Sequence, residues 1–274
     1  MRNCMKYTIG FIGGGQMAEA LLKGMLAAKL YSPEDIYLVE PNSLRRQHME
    51  SKYGLQLCEN HQDFWDICNI AILAVKPQIM GKVIEAAKPY VTNDHIIISI
   101  AAGLPISFYE KMLGSNGHKI IRVMPNTPAL ILEGTSAISC NGNVSDTELK
   151  RAECIFNAVG ISVLLDETYL DAATGLSGSG PAYVFTFIEA LIDAGIKVGL
   201  TRYTAETMAV QTVLGAAKLM QKEKKHPAVL RSMVTSPGGT SIAAHHFLEK
   251  KGFSGILMDA VEIAVNRSKE LGNQ

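Results

Sequence analysis

The stretch Thr8-Ile9-Gly10-Phe11-Ile12-Gly13-Gly14-Gly15-Gln16-Met17-Ala18 constrains this chain more than any other. An apolar run enters a glycine turn and leaves directly into a helical pattern of Ala20, Leu21, Leu22, Met25 and Leu26. That order of strand, turn and helix opens a βαβ unit. Gly13 permits the tight turn, Gly15 lets backbone approach a pyrophosphate, and small Ala18 lets the helix pack closely on the strand. The free N–H groups of the helix start, at Gln16 and Met17, suit phosphate. The alternative is a glycine turn that binds nothing. The correct context on both sides favours dinucleotide binding.

The strands that follow end in residues suited to a cleft. Ile36–Val39 runs into Glu40-Pro41-Asn42, where an acid accepts the ribose hydroxyls of NAD. Asn42, Ser43, Arg45 and Arg46 come next, and such donors suit the extra phosphate of NADP. This segment leaves the nucleotide open. A buried strand at 70–75 ends in Lys76-Pro77-Gln78, so Ala74, Val75, Lys76 and Pro77 lie beyond its carboxyl end, where open α/β sheets bind ligands. A strand at 96–100 ends in Ala101-Ala102-Gly103, small enough for a ring to lie against the backbone. Strands at 119–123 and 161–165 complete an α/β fold with a doubly wound parallel sheet, and Met124-Pro125-Asn126-Thr127-Pro128 forms a rigid loop at the same edge.

From Tyr169 onward only helical patterns occur, at about 169–199, 204–223, 227–234, 241–250 and 254–271. The chain therefore divides into a dinucleotide-binding domain, 1–167, and an all-helical domain, 168–274. The helices Ala182–Leu200 and Met208–Met220 are apolar on more than one face. A segment this short cannot bury them alone, so pairing with a second copy is expected. Glu189, Asp193 and Lys197 give the first of them a polar stripe, which argues against a membrane span.

Composition excludes rather than selects. Lys and Arg number 26 against 26 Asp and Glu, so no net field points to nucleic acid or an anionic membrane. The five cysteines, Cys4, Cys58, Cys68, Cys140 and Cys154, are scattered without a CxxC pair. Neither a disulfide framework nor a zinc site is indicated, and a reducing cytoplasm is the simplest location. Arg2 and Lys6 precede only a short apolar run that ends in the glycine loop, so no secretory signal is read there. There is no metal-binding pattern, paired-carboxylate spacing or nucleophile elbow.

Two longer motifs, Gly175-Leu176-Ser177-Gly178-Ser179-Gly180-Pro181-Ala182-Tyr183 and Val234-Thr235-Ser236-Pro237-Gly238-Gly239-Thr240-Ser241, resemble pyrroline-5-carboxylate reductase. The resemblance spans essentially the whole chain, taking in the glycine loop, Ala74–Gln78, Ala101–Gly103, Met124–Pro128 and Leu214–Lys218. It implies a Rossmann domain followed by a helical dimerisation domain, and reduction of 1-pyrroline-5-carboxylate to L-proline by hydride from NAD(P)H, the last step of proline biosynthesis. The resemblance, with the Arg45/Arg46 pair, implies NADPH as the favoured cofactor, with NAD also used. A homodimer through the helical domain is implied, and some members assemble dimers into decamers.

By the same resemblance, Ser236, Gly238, Gly239, Thr240 and Ser241 bind substrate, with Thr240 and Ser241 catalytic. By spacing alone, Thr240 or Ser241 would merely cap a helix. Gly13, Gly15, Gln16, Met17, Asn42, Ser43, Arg45, Asn60, Ala74, Val75, Lys76, Pro77, Ala101, Ala102 and Gly103 would hold the cofactor. Two departures stand out: a serine, Ser241, where the family often has threonine, and His61 where related chains place an asparagine, with Asn60 beside it. The competing readings are a noncatalytic nucleotide sensor and a reductase of another cyclic imine or a β-hydroxy acid.

Overall fold

The computed structural model describes residues 7–114 and 117–272. Arg2, Cys4 and Lys6, on which part of the reading of the amino end rests, lie outside the described residues. Eight strands form one sheet: β1 (Ile9–Ile12), β2 (Ile36–Val39), β3 (Gln56–Leu57), β4 (Ile70–Leu73), β5 (Ile96–Ser99), β6 (Lys119–Met124), β7 (Gly134–Cys140) and β8 (Gly160–Leu164). Their spatial order is β3-β2-β1-β4-β5-β6-β7-β8. All neighbours are parallel except β6 and β7. In register, Ile9 lies between Ile36 and Ile70.

Alternation along each strand feeds two cores. Ile70, Ile72, Ile96 and Ile98 pack on one face with Leu21, Leu22, Met25 and Phe156. Ala71, Leu73 and Ile97 pack on the other with Phe64, Trp65, Met80 and Tyr109. Every residue of β1, β4 and β5 is buried, which is why these strands read as continuous apolar runs instead of alternating ones. The covering helices are α1 (Gln16–Ala27), α2 (Ser43–Tyr53), α3 (His61–Ile67), α4 (Pro77–Ala87), α5 (Ile106–Leu113) and α6 (Asp146–Asn157).

The parallel-dominated sheet agrees with the sequence reading, while β3 and the antiparallel β7 add to it. The strand expected over 70–75 stops at Leu73, and Pro77 opens α4, since proline suits the first turn of a helix. The long helix expected from 169 is interrupted. After α7 (Leu170–Ala173) comes a π-helical turn, Thr174–Gly178, closed by Ser179 N donating to Thr174 O at 2.8 Å.

Packing separates two units. One comprises residues up to Ser179 together with those from Ile263 onward, and the other is Gly180–Glu262. The second unit holds α8 (Gly180–Lys197), α9 (Arg202–Glu223), α10 (Pro227–Ser232), α11 (Thr240–Lys250) and the start of α12 (Phe253–Gly272). No residue of α8 is buried, and only Ala205 and Ala209 are buried on α9. Phe185 is 65% exposed and Met208 56%. The apolar faces read from the sequence are therefore uncovered within a single chain.

Candidate active site

Chain order reverses between β1 and β4, and beyond their carboxyl ends lies a cleft of about 500 Å³. Ligands of open α/β sheets bind at such a reversal. The wall includes Gly13, Gly14, Gly15, Glu40, Pro41, Arg46, Cys58, His61, Ala74, Val75, Lys76 and Ile79. Gly13, Gly15, Ala74, Val75 and Lys76, all expected from the sequence to hold the cofactor, meet here together with Glu40, Arg46 and His61, which the sequence also singled out.

The glycine loop fits a dinucleotide. Gly13 has φ +99°, and a Cβ on it would stand 2.7 Å from Ala74 O. A Cβ on Gly15 would meet nothing within 4 Å, so the bare Cα leaves open the space a pyrophosphate needs. Gly15 is also the N-cap of α1, and no side chain caps the helix there. Its first N–H groups are left for an anion.

Glu40 joins this loop to the end of β2. Its Oε2 accepts from Gly14 N at 2.7 Å and its Oε1 from Asn42 N at 2.8 Å. Asn42 caps α2 by accepting from Arg45 N at 3.0 Å, and Ser43 is the first residue of that helix. Arg45, expected to face a ribose phosphate, turns instead to Glu19 Oε2 at 2.5 Å and to the carbonyls of Gly14 and Gly15. Its neighbour Arg46 lines the cleft.

Asn60 also takes a different part from the expected one. It caps α3, accepting from Asp63 N at 2.9 Å, and its Nδ2 donates to Asp63 Oδ2 at 2.9 Å. His61 stands in the cleft wall with a buried Nδ1 that has no hydrogen-bond partner, and burial lowers its pKa. An unpartnered buried ring nitrogen is a group that a nucleotide could satisfy. Gln16, Met17, Pro77, Ala101, Ala102 and Gly103 do not line this cleft.

Ala101–Gly103 follows β5 and is held from several sides. Ala101 N donates to Ser99 Oγ at 3.2 Å, and Ser99 Oγ lies 2.5 Å from Tyr109 OH. Burial pushes the Tyr109 hydroxyl up to about 12. Gly103 has φ +81°, and a Cβ on it would stand 3.3 Å from Gly272 N and from Leu271 Cβ at the end of α12. In the same unit Asn126 Nδ2 donates to Ser177 O at 3.0 Å, while its Oδ1 accepts from Thr135 N at 2.8 Å. Two motifs of the resemblance, Met124–Pro128 and Gly175–Gly178, are thereby tied together.

The second unit carries the other motif. Ser236–Gly239 forms a turn in which Gly239 N donates to Ser236 O at 3.0 Å and Gly238 has φ +68°. Gly239 is the N-cap of α11, and no side chain caps it. Thr240 and Ser241 are the first two helical residues, and both are exposed. The capping role that spacing alone suggested for them is thus absent. His245 and His246 lie further along α11, half-buried and exposed.

Residues 8–103 match a family described as NADP oxidoreductase coenzyme F420-dependent, and 167–271 match pyrroline-5-carboxylate reductase dimerisation. A pyrroline-5-carboxylate reductase of Synechocystis sp. is 44% identical over 98% of this chain and 100% of its own. One from Methanosarcina acetivorans is 42% identical over 97% of this chain and 98% of its own. The solved structure of a Plasmodium falciparum pyrroline carboxylate reductase, with NADP bound, superposes with TM-score 0.87 at 37% identity and covers 97% of this chain and 98% of that one. The reductase of Coxiella burnetii gives TM-score 0.91 at 35% identity, with the same coverage. Matched from end to end at this level, the chain belongs to the pyrroline-5-carboxylate reductase family.

Proposed function

We propose that the protein reduces 1-pyrroline-5-carboxylate to L-proline with NAD(P)H, as the last step of proline biosynthesis. The observation that carries this reading is a single chain that combines an uncapped α1 start behind Gly13–Gly15 with an uncapped α11 start at Gly239. One suits a pyrophosphate and the other a carboxylate. When bound, the reduced nicotinamide supplies hydride to the imine carbon. The protein's task is to bind, orient and place a proton.

Gly13, Gly15, Gln16 and Met17 hold the pyrophosphate, Asn42 and Ser43 receive the adenosine ribose, and Arg46 faces its 2′-phosphate. Arg45 and Asn60 contribute through the loop and the cap they stabilise. Ala74–Pro77 and Ala101–Gly103 flank the remainder of the cofactor. At the other site the Ser236 hydroxyl and the backbone amides of Gly238 and Thr240 bind the substrate carboxylate, while Gly239, whose own amide closes the turn on Ser236 O, leaves the helix start uncapped. Ser241 Oγ bonds the imine nitrogen and aids its protonation, with Thr240 beside it.

These roles divide the chain at 167/168 into a nucleotide domain and a substrate and dimerisation domain. The exposed apolar residues of α8 and α9 make a homodimer the smallest assembly. Dimers could in turn assemble into a larger homo-oligomer. Among the described residues no helix is long and apolar enough to cross a membrane. The scattered cysteine spacing, without a CxxC pair, makes the cytoplasm the proposed location.

Both nucleotides serve, with NADPH favoured through Arg46 and Glu40 limiting the margin by repelling a phosphate. Initial rates with NADPH and NADH on 1-pyrroline-5-carboxylate test this. A higher kcat/KM for NADPH is expected, and a strong preference for NADH would hand the ribose pocket to Glu40.

A further inference from the structure

Arg45 and Arg46 are consecutive in α2, and consecutive helical residues point about 100° apart. Only Arg46 lines the cleft. Arg45 Nε donates to Gly14 O, and its Nη2 lies 3.3 Å from Gly15 O and 2.5 Å from Glu19 Oε2. From the other side Glu40 Oε2 accepts from Gly14 N at 2.7 Å. Gly14 is therefore clamped at both its amide and its carbonyl. In a trans peptide the C=O and the following N–H point in opposite directions. Drawing the carbonyls of Gly14 and Gly15 toward Arg45 thus turns the amides of Gly15 and Gln16, which begin α1, to the opposite side.

Glu19 keeps Arg45 in that place. Its Oε1 also receives Tyr53 OH at 2.7 Å, Lys52 Nζ at 2.9 Å and His48 Nε2 at 3.2 Å. Burial acts to raise the Glu19 pKa, but these donors and Arg45 hold the carboxyl well below the usual carboxylate range. A charged carboxylate so placed retains a guanidinium that the ribose phosphate would otherwise attract.

We propose that Arg45 is a positioning residue for the pyrophosphate loop, committed to it by Glu19 and indifferent to the adenosine 2′-phosphate, while Arg46 alone supplies the arginine contribution to discrimination between NADPH and NADH. This rests on reading the cleft as the nucleotide site.

Calorimetric titration of the full-length wild type, Arg45→Ala, Arg45→Lys and Arg46→Ala with NADPH, NADH and adenosine 2′-monophosphate tests it. Arg45→Ala should raise Kd for both dinucleotides by the same factor, about tenfold for one charge-assisted contact. Binding of adenosine 2′-monophosphate, which lacks the pyrophosphate, should stay unchanged. Arg46→Ala should weaken NADPH and adenosine 2′-monophosphate by about tenfold and leave NADH as it was. Arg45→Lys keeps the charge but cannot span two carbonyls and a carboxylate. It should show the same equal loss on a smaller scale, and it carries the comparison if the alanine variant does not fold. Loss of NADPH affinity alone in either Arg45 variant would overturn the proposal, as would unchanged affinities in a folded one. A wild type that binds neither dinucleotide would overturn the reading of the cleft itself.

Discussion

Ser268 Oγ donates to Asp171 Oδ1 at 2.7 Å, and the same carboxylate oxygen lies 3.6 Å from Arg122 Nη2. Arg122 is buried on β6 and also meets Glu167 Oε1 at 3.2 Å, which in turn accepts from Ile106 N at 2.7 Å. The contact pins the last turns of α12 beside Gly103. Ser268→Ala removes one hydrogen bond and should cost about 1 kcal/mol of stability. Asp171→Ala also strips a buried guanidinium of one of its carboxylates and should cost about 3 kcal/mol. Urea unfolding of the two variants measures both, and equal losses would show that Arg122 does not rely on Asp171.

The two glycines that flank Gly14 should fail in different ways. Gly13→Ala places a Cβ 2.7 Å from Ala74 O at φ +99°, which should destabilise the fold by roughly 2 kcal/mol. Gly15→Ala meets nothing within 4 Å, so the melting temperature should hold while the KM for nucleotide rises. Thermal melting paired with steady-state kinetics separates them. A Gly15→Ala protein with normal KM would mean that the pyrophosphate does not lie on this loop.

Acid sensitivity should depend on Glu148. Burial acts to raise its pKa, but Lys119 Nζ at 2.8 Å and the Ser145 amide and hydroxyl at 2.9 and 2.7 Å hold it below the usual range. A folded-state pKa below the unfolded one contributes stability that is present above the unfolded value, about pH 4.3, and is lost as pH falls through the folded value. Glu148→Gln should therefore be less stable than wild type at pH 7, and the gap should narrow below about pH 4. Denaturant midpoints at the two pH values check the sign, and a gap that widens in acid would contradict it.

Ser241 separates chemistry from capping. It is the second residue of α11, whose N-cap Gly239 has no side-chain cap. Ser241→Ala should leave the melting temperature nearly unchanged while kcat falls by roughly 10²-fold or somewhat less, because water can partly replace one hydroxyl. Ser241→Thr should restore the rate. An alanine variant with normal turnover would remove the Ser241 hydroxyl from the chemistry.

Much of this architecture was legible in the sequence because β1, β4 and β5 are buried throughout and their apolar runs are unbroken. Strand β7 was not, since Gly-Thr-Ser-Ala-Ile-Ser-Cys is built mostly of small residues with little strand signal. The two residues of β3 are too few to show a pattern. At the candidate site the sequence identified Gly13, Gly15, Ala74, Val75 and Lys76, all on the cleft wall. It could not tell Arg45 from Arg46 or Asn60 from His61, because adjacent residues at a helix start differ only in the direction each faces. The approach of Gly272 to Gly103 was hidden too, as it joins segments distant in the chain.

Hydride transfer to 1-pyrroline-5-carboxylate couples loss of the reduced nicotinamide to the appearance of proline. NADPH oxidation is followed by the absorbance of the reduced nicotinamide while proline is quantified in the same reaction. One proline should form per NADPH consumed, with other cyclic imines and keto acids reduced far more slowly. Nucleotide binding without proline formation would contradict it and leave a sensor. Faster turnover of another imine would instead keep the fold and the chemistry but assign a different substrate.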